Sequence, residues 1–177
     1  MPNTRTNSQV AKLKQLSLAL AESFKDEQAY LDLTCAAADL FDANIALISL
    51  QNGDSMWFKT RVGLEITEIP KQASFCEWAM QFCDRVFVVE DAAKDPRFAN
   101  NALVTGPLGI RFYVGAPLVT STRQVLGNLC VLDSRPKKLE SQQLETLKFL
   151  GKQVTEMLEK SKAHIPPISP ISPIPSQ

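Results

Sequence analysis

Apolar residues recur at three- and four-residue spacing at both ends of this chain and in short dense runs between them. Over residues 8–24, Val10, Leu13, Leu16, Leu20 and Phe24 fall on one helical stripe that needs a partner. A second helical run, about 27–41, carries Tyr30, Leu31, Leu33, Thr34, Ala37, Ala38 and Phe41, and is expected to lie flat on a sheet with Cys35 in its core. The run NIALISL at 44–50 reads as a fully buried strand. Gln51-Asn52-Gly53-Asp54 then supplies a hairpin turn into an alternating strand from Met56 to Val62.

The middle of the chain is punctuated by caps and turns. After a loop ending near Pro70, Ser74-Phe75-Cys76-Glu77 has the form of a capping box, which predicts a helix from Ser74 to about Asp84. Val86 to Val89 is a short strand. Asp95 as N-cap with Pro96 behind it predicts a short helix ending near Asn100 and Asn101, and Thr105-Gly106-Pro107-Leu108-Gly109 forbids regular structure. The strand that follows, Arg111-Phe112-Tyr113-Val114, is aromatic and β-branched, with a bulge or unpaired edge expected at Gly115 and Pro117. Val125 to Asp133 pairs with it across the turn Ser121-Thr122-Arg123-Gln124. The strands so far make a five-stranded meander, with a sixth if the neighbourhood of Glu90-Asp91 or Phe112 splits.

A last helix from about Ser141 to Lys160 carries Leu147, Leu150, Val154 and Met157 on one stripe, extended by Leu144. That stripe can cover the sheet, pair with the first helix in a dimer, or do both. The tail from Ile165 to Gln177 repeats Ile-Ser-Pro and holds five of the 11 prolines. It reads as a disordered tail or linker; in polyproline II its isoleucines at 165, 168, 171 and 174 would share a face. The expected organisation is an N-terminal helical segment over 1–25 suited to dimerisation, a domain over 26–160, and the proline-rich tail over 161–177.

Composition narrows the function. A chain of 177 residues with 45% hydrophobic and 21% charged residues suits one globular domain. Lys plus Arg (19) balances Asp plus Glu (19), so no net positive field recruits nucleic acid or a membrane surface. No apolar run is long enough to span a bilayer and Met1 to Gln9 lacks the apolar core of a signal peptide, so a cytoplasmic location is expected. The four cysteines, at 35, 76, 83 and 130, show no paired CxxC spacing, which speaks against structural zinc and a disulfide scaffold. The one histidine, His164, stands just before the tail. Triads, Cys-His pairs, two-histidine metal sites and a phosphoacceptor histidine all need one inside the domain.

Candidate chemistry concentrates at two places. The first is the start of the Ser74 helix, where free amides favour negative charge and Cys76, at the second helical position, would be the most reactive thiol if exposed. Its plainer role is a small buried hydrophobe beside Phe75 and Trp78. Cys83 would share the face of Cys76 but lie about 10 Å along the axis, too far for a disulfide within an intact helix. The second is Arg111, able to hold a carboxylate or phosphate in a fork, or to pair with Asp91 or Asp95. Arg97 carries the same ambiguity. Trp57, Phe75, Trp78, Phe98, Phe112 and Tyr113 are candidates to line an apolar cavity.

Taken in chain order, Ile45 to Leu50, Trp57-Phe58-Lys59, Arg61-Val62-Gly63-Leu64, Ser74-Phe75-Cys76, the segment Asp95 to Pro117, and Leu126-Gly127-Asn128-Leu129-Cys130-Val131-Leu132-Asp133 resemble a GAF domain over residues 26 to 160. The resemblance is to the bacterial type found at the N-termini of sensor histidine kinases and diguanylate cyclases. It implies an α+β fold: a central antiparallel sheet of five to six strands, terminal helices on one face, and a lid of short helices and loops over a pocket on the other. It further implies a non-catalytic sensory or regulatory domain in a two-component or similar pathway. Such a domain would bind a small molecule and form a homodimer through its terminal helices, which in that family commonly make a parallel bundle, and it would act on a kinase or cyclase output partner.

Departures from the family's ligand motifs are equally informative. Cys76 precedes Glu77 and Cys83 precedes Asp84, whereas covalent bilin attachment goes with Cys-His, so no covalent bilin is expected. Haem is not expected for want of a histidine, and the Asn-Lys-Phe-Asp-Glu pattern of cyclic-nucleotide binders is not found; the cofactor stays unknown. Two alternatives remain. One is a thiol redox enzyme like the free-methionine-sulfoxide reductases, with Cys76 as nucleophile and Cys83 or Cys130 resolving, although these cysteines do not reproduce that subgroup's arrangement. The other is a dimerisation module whose pocket is filled by its own side chains.

Overall fold

The computed structural model describes residues 26–161. The expected helix over 8–24, His164 and the Ile-Ser-Pro tail lie outside the described residues. Helix α1 (26–40) leads into β1 (Ile45–Asn52) and, through a turn in which Gly53 takes φ 58°, into β2 (Ser55–Val62). A left-handed φ of this kind is what glycine supplies without strain. Then come β3 (Glu68–Pro70), a 3₁₀ turn (Lys71–Ala73), α2 (Phe75–Met80), β4 (Phe87–Val89) and α3 (Ala102–Thr105). The long strands β5 (Phe112–Val119) and β6 (Val125–Asp133) and helix α4 (Ser141–Lys160) close the domain.

The α+β class and the antiparallel sheet agree with expectation, but the strands do not form a meander. Their order is β3-β2-β1-β6-β5-β4, with β1 and β6 paired at the centre from Ile45↔Leu132 to Leu50↔Gly127. Both are apolar on both faces, which marks strands covered on two sides and so suits the centre. The sixth strand is Glu68–Pro70, at the β2 edge, and not in the Glu90 or Phe112 neighbourhood. Three residues with one half-buried side chain give too little periodicity to be read as a strand. At β5 the irregularity falls at Leu118/Val119 and not at Gly115. Pro117 lies beyond the β4 pairing, which stops at Gly115, so the missing N–H is tolerated where only one neighbour strand remains.

The helix side holds one core. Tyr30, Ala37 and Ala38 of α1, Phe41 in the turn after it, and Leu147, Val154 and Leu158 of α4 pack on Ile48, Phe112, Val114, Leu129 and Val131. The α4 stripe is turned slightly from expectation: Leu147, Gly151, Val154, Thr155 and Leu158 are buried, while Leu144, Leu150 and Met157 flank the core partly buried. The two helices run antiparallel, since Gln143 Nε2 donates to Leu40 O (3.0 Å) at one end and the hydroxyls of Tyr30 and Ser161 lie 3.5 Å apart at the other. No described helix is long and apolar enough to cross a membrane.

Candidate functional site

The lid face is built on the alternate residues of the same strands. Ser49 from β1, Asn128 and Cys130 from β6, and Tyr113 from β5 point toward α2, which crosses them with Phe75, Cys76, Ala79 and Met80 buried. Ser74 starts that helix as its N-cap, its Oγ accepting from the Cys76 amide at 2.9 Å. The bond goes to the second helical amide, so the reciprocal capping box expected with Glu77 is not formed. The helix ends at Met80 instead of near Asp84: the chain turns back there and Phe82 stacks on Phe87 with ring centroids 5.9 Å apart. Cys83 is therefore off the helix and exposed, and the expected helical face shared with Cys76 does not exist.

Cys76 instead meets Cys130. Their Sγ atoms are 3.2 Å apart, both buried. Ser49 Oγ donates to Cys76 Sγ at 3.3 Å, and Tyr113 Oη lies 3.5 Å from Cys76 Sγ and 3.1 Å from Cys130 Sγ. Tyr113 reaches the sulfurs by lying across Gly115, its neighbour on the same face; a β-carbon there would collide with the phenol oxygen. Asn128 Nδ2 donates to Cys76 O at 3.2 Å, while Asn128 Oδ1 is buried without a partner among the described residues.

The arrangement divides the charge unevenly. Hydrogen bonding from Cys130, aided by Ser49, Ser74 and Tyr113, pulls the Cys76 thiol down to about 6 against the opposing effect of burial. Burial pushes the Cys130 thiol and the Tyr113 phenol well above their ordinary values. The first proton lost from the pair is that of Cys76.

An apolar cavity of about 30 Å³ adjoins the cluster, lined by Leu47, Phe58, Ser74, Phe75, Cys76 and Tyr113 on the floor and by Leu64, Ile66, Leu103 and Leu108 in the lid. That is space for about two waters, against roughly 300–1,000 Å³ for a typical ligand pocket. Two lid residues that line it, Ile66 and Leu108, are 43% and 38% exposed.

Around this floor the aromatic residues form a sheath. Phe75 stacks on Tyr113 (5.1 Å) and packs on Phe98 (4.5 Å), which meets Trp78 and Phe87. Arg97 lies over Trp78, Phe87 and Phe98, held there by two bonds to Asp95 (3.0 and 2.6 Å). A guanidinium placed on aromatic faces and paired with a carboxylate has a structural role close to hand.

Arg111 donates to Val104 O and Ile110 O, both at 3.0 Å, and so ties down the lid; the expected pairing with Asp91 or Asp95 is absent. Asp91 faces Lys94 at 3.8 Å and accepts from the Ala93 amide. The lid is also arranged differently from the sequence reading. Asp95 caps a succession of turns, its Oδ1 accepting from the Arg97 amide, whereas the one-turn helix α3 begins after Asn101, where the expected helix was to end, and runs up to the stretch expected to be irregular. Asn101 accepts from the Leu103 amide and so supplies the cap that the sequence reading gave to Asp95.

Of the residues singled out from sequence, Ser74, Phe75, Cys76 and Tyr113 converge on the cavity, with Phe98 and Trp78 behind them. Phe112 points to the helix side, 5.9 Å from Phe41, and Trp57 packs partly buried on that same side. Ser49 and Asn128 join the site without a motif to mark them; each is a polar residue in the middle of a central strand.

Comparisons with known proteins agree with this architecture. The family model described as GAF domain matches residues 27–158. A cyclic di-GMP phosphodiesterase of Pseudomonas aeruginosa is 42% identical over 120 residues, covering 68% of this chain and 20% of the relative, so the chain spans about a fifth of that protein's length. Among solved structures, the GAF domain of an Acinetobacter phosphoenolpyruvate-protein phosphotransferase superposes with a TM-score of 0.63 at 18% identity, covering 92% of this chain and 98% of the other. The free methionine-R-sulfoxide reductase of Neisseria meningitidis, solved with its substrate, gives 0.63 at 19% identity, covering 85% and 87%. At these identities the structural likeness is one of fold.

Proposed function

The chain belongs to the GAF domain family, and on that premise we propose that it is a non-catalytic sensory domain that takes a small apolar molecule behind the lid and signals through α1, α4 and the segment before α1. The observation that carries this reading is the apolar cavity, closed by a lid whose Ile66 and Leu108 remain exposed. A ligand of ordinary size needs the lid to move outward, which brings those side chains into contact with the ligand. Ser74, Phe75, Cys76 and Tyr113 would floor the site, and Arg111 would hold the lid's far end through the carbonyls of Val104 and Ile110.

Coupling follows from strand alternation. Leu47, Cys130 and Tyr113 face the lid while Ile48, Val131 and Val114, one residue on, face α1 and α4, so a displaced strand bears on both sides at once. A regulatory role fits the relative named a cyclic di-GMP phosphodiesterase. We place this domain as the regulatory input to an output enzyme of that kind of signalling, acting as a homodimer through its terminal helices in the cytoplasm.

Native mass spectrometry of the full chain tests the pocket. A copurifying or titrated small molecule should be retained by the parent and lost from Leu103→Trp, which fills the cavity. Equal retention by both would sink the reading, and sedimentation of the full chain as a monomer would sink the dimer.

A further inference from the structure

Cys76 floors the pocket in the reading above, but its pairing with Cys130 is not used there. It has the parts of a reactive centre: two sulfurs at 3.2 Å, hydroxyl groups of Ser49 and Tyr113 at 3.3 and 3.5 Å from the Cys76 sulfur, and a cavity reaching only one of the two thiols. Cys76 lines that cavity, whereas Cys130 lies behind it in β6, paired across to Leu47 of β1 and Gly115 of β5. Access thus sets the order of reaction. A cavity of about 30 Å³ admits a molecule the size of one or two waters and shuts out a peptide disulfide. Beside the pair, the buried and unpartnered Asn128 Oδ1 belongs to the side chain that holds the Cys76 carbonyl.

We propose that Cys76 and Cys130 form a peroxide-reactive site, in which a small hydroperoxide entering the cavity converts the two thiols into an intramolecular disulfide. The Cys76 sulfur, having given up its proton, attacks one peroxide oxygen. The O–O bond breaks, Cys76 becomes a sulfenic acid, and the departing hydroxide or alkoxide takes the proton that Cys76 released. Cys130 Sγ then attacks the Cys76 sulfur. The S–S bond forms, the S–O bond breaks, and hydroxide leaves as water with the Cys130 proton. Two thiols and one peroxide give one disulfide, one water, and a second water or an alcohol; two electrons pass from sulfur to oxygen.

A disulfide spans about 2.05 Å, so the sulfurs approach by roughly 1 Å. Cys130 is fixed between two strands, and α2 supplies the movement. Asn101 Nδ2 donates to Ala73 O at 3.3 Å just before α2, which passes the displacement to α3 and the lid. Ser49 and Tyr113 are positioning residues for the Cys76 sulfur.

The test treats the full chain with one equivalent of hydrogen peroxide, denatures it and alkylates the remaining thiols. The expected result is loss of two alkylatable thiols and of two hydrogen masses, a peptide linking Cys76 to Cys130, and recovery on reduction with dithiothreitol. Cys130→Ser should stop at a sulfenic acid on Cys76, trapped by dimedone, and Cys76→Ser should leave Cys130 unoxidised. Tyr113→Phe keeps both sulfurs and should slow the first step, and Cys83→Ser should change nothing. Oxidation that joins Cys83 or Cys35, that links two chains, or that leaves Cys76 and Cys130 as free thiols overturns the proposal. Because the readout is sulfur and mass, its outcome is separate from whether any ligand occupies the cavity.

Discussion

On the helix side of the sheet, Ile48, Val114, Leu129 and Val131 meet Phe41, Leu147, Val154 and Leu158 in a core of carbon; on the lid side, the neighbouring residues of the same strands offer a thiol, a phenol, a serine and an amide to a six-residue helix that brings a second thiol. The difference is one of task. Long amphipathic helices laid on a sheet bury much apolar area per ordered residue, and that area supplies stability. A short helix with a cavity beside it gives up packing and gains a place where polar and reactive groups can be held dry. Alternation along a strand lets one sequence do both, since each residue serves only one face.

The hardest test of this contrast is truncation in the helix-side core. Leu147→Ala removes a fully buried side chain and should cost about 2–5 kcal/mol in a denaturant melt. The Cys76 thiolate titration, followed by ultraviolet absorbance, should shift with it, because the strands carrying Ile48 and Val131 on one face carry Ser49 and Cys130 on the other; an unmoved midpoint would break the coupling between the faces.

Next comes the polar clasp that closes the end of the helix side. Asp133 is buried and accepts from the amides of Asn44 (3.2 Å) and Arg135 (2.8 Å) and from the Arg135 side chain, which also reaches Asp42 O. Burial pushes its carboxyl upward, yet the bonds from Arg135 and Asn44 outweigh it and hold the group below the ordinary carboxylate range. Asp133→Asn should therefore cost about 1–3 kcal/mol at neutral pH. A depressed acid stabilises the fold above its unfolded value and loses that contribution as pH falls through the folded one, so the gap between parent and variant should close below about pH 4. An unchanged gap in acid would show that the carboxylate charge is not what matters.

Smaller effects belong to the lid side. Tyr113→Phe removes one hydroxyl between two sulfurs and should cost about 0.5–1.5 kcal/mol. Its larger signature is spectroscopic. The Cys76 thiolate, facing Cys130, Ser49, Ser74 and Tyr113, should appear in the parent as pH rises through about 6, and the variant's midpoint should lie higher. A parent midpoint near an ordinary thiol's would break the asymmetry between the two cysteines. Smallest of all, Ile66→Ser and Leu108→Ser should leave stability within about 0.5 kcal/mol, because neither side chain is committed to the core. A loss as large as that of Leu147→Ala would make the lid part of the stabilising core.

What could be read from sequence follows the same division. Dense apolar runs gave β1 and β6, and alternation or helical spacing gave β2 and α4, to within about two residues, while β5 was placed with its far end left open, because long elements with a buried face leave a distinct signal. The strand order was hidden, since nothing local in Ile45–Asn52 says that its second partner is Val125–Asp133, some eighty residues away. Local caps misled where two competed: Asp95-Pro96 and Asn101 both offer a helix start, and only tertiary packing decides that α3 follows the second. At the site, Ser74 and Cys76 were legible from the helix-start pattern. The partnership of Cys76 with Cys130 stood only as one of two options beside Cys83, because it joins a helix to a strand fifty-four positions on and nothing local selects it. Its sign was Ser49 and Asn128, polar residues in the middle of the two central strands.

The antiparallel pair α1 and α4 has a further consequence. With Tyr30 and Ser161 within 3.5 Å of each other, the chain comes into the domain and leaves it at one spot. A fold threaded this way can be spliced into a longer polypeptide while the flanking segments stay neighbours, so it can be gained or lost in a genome as a cassette.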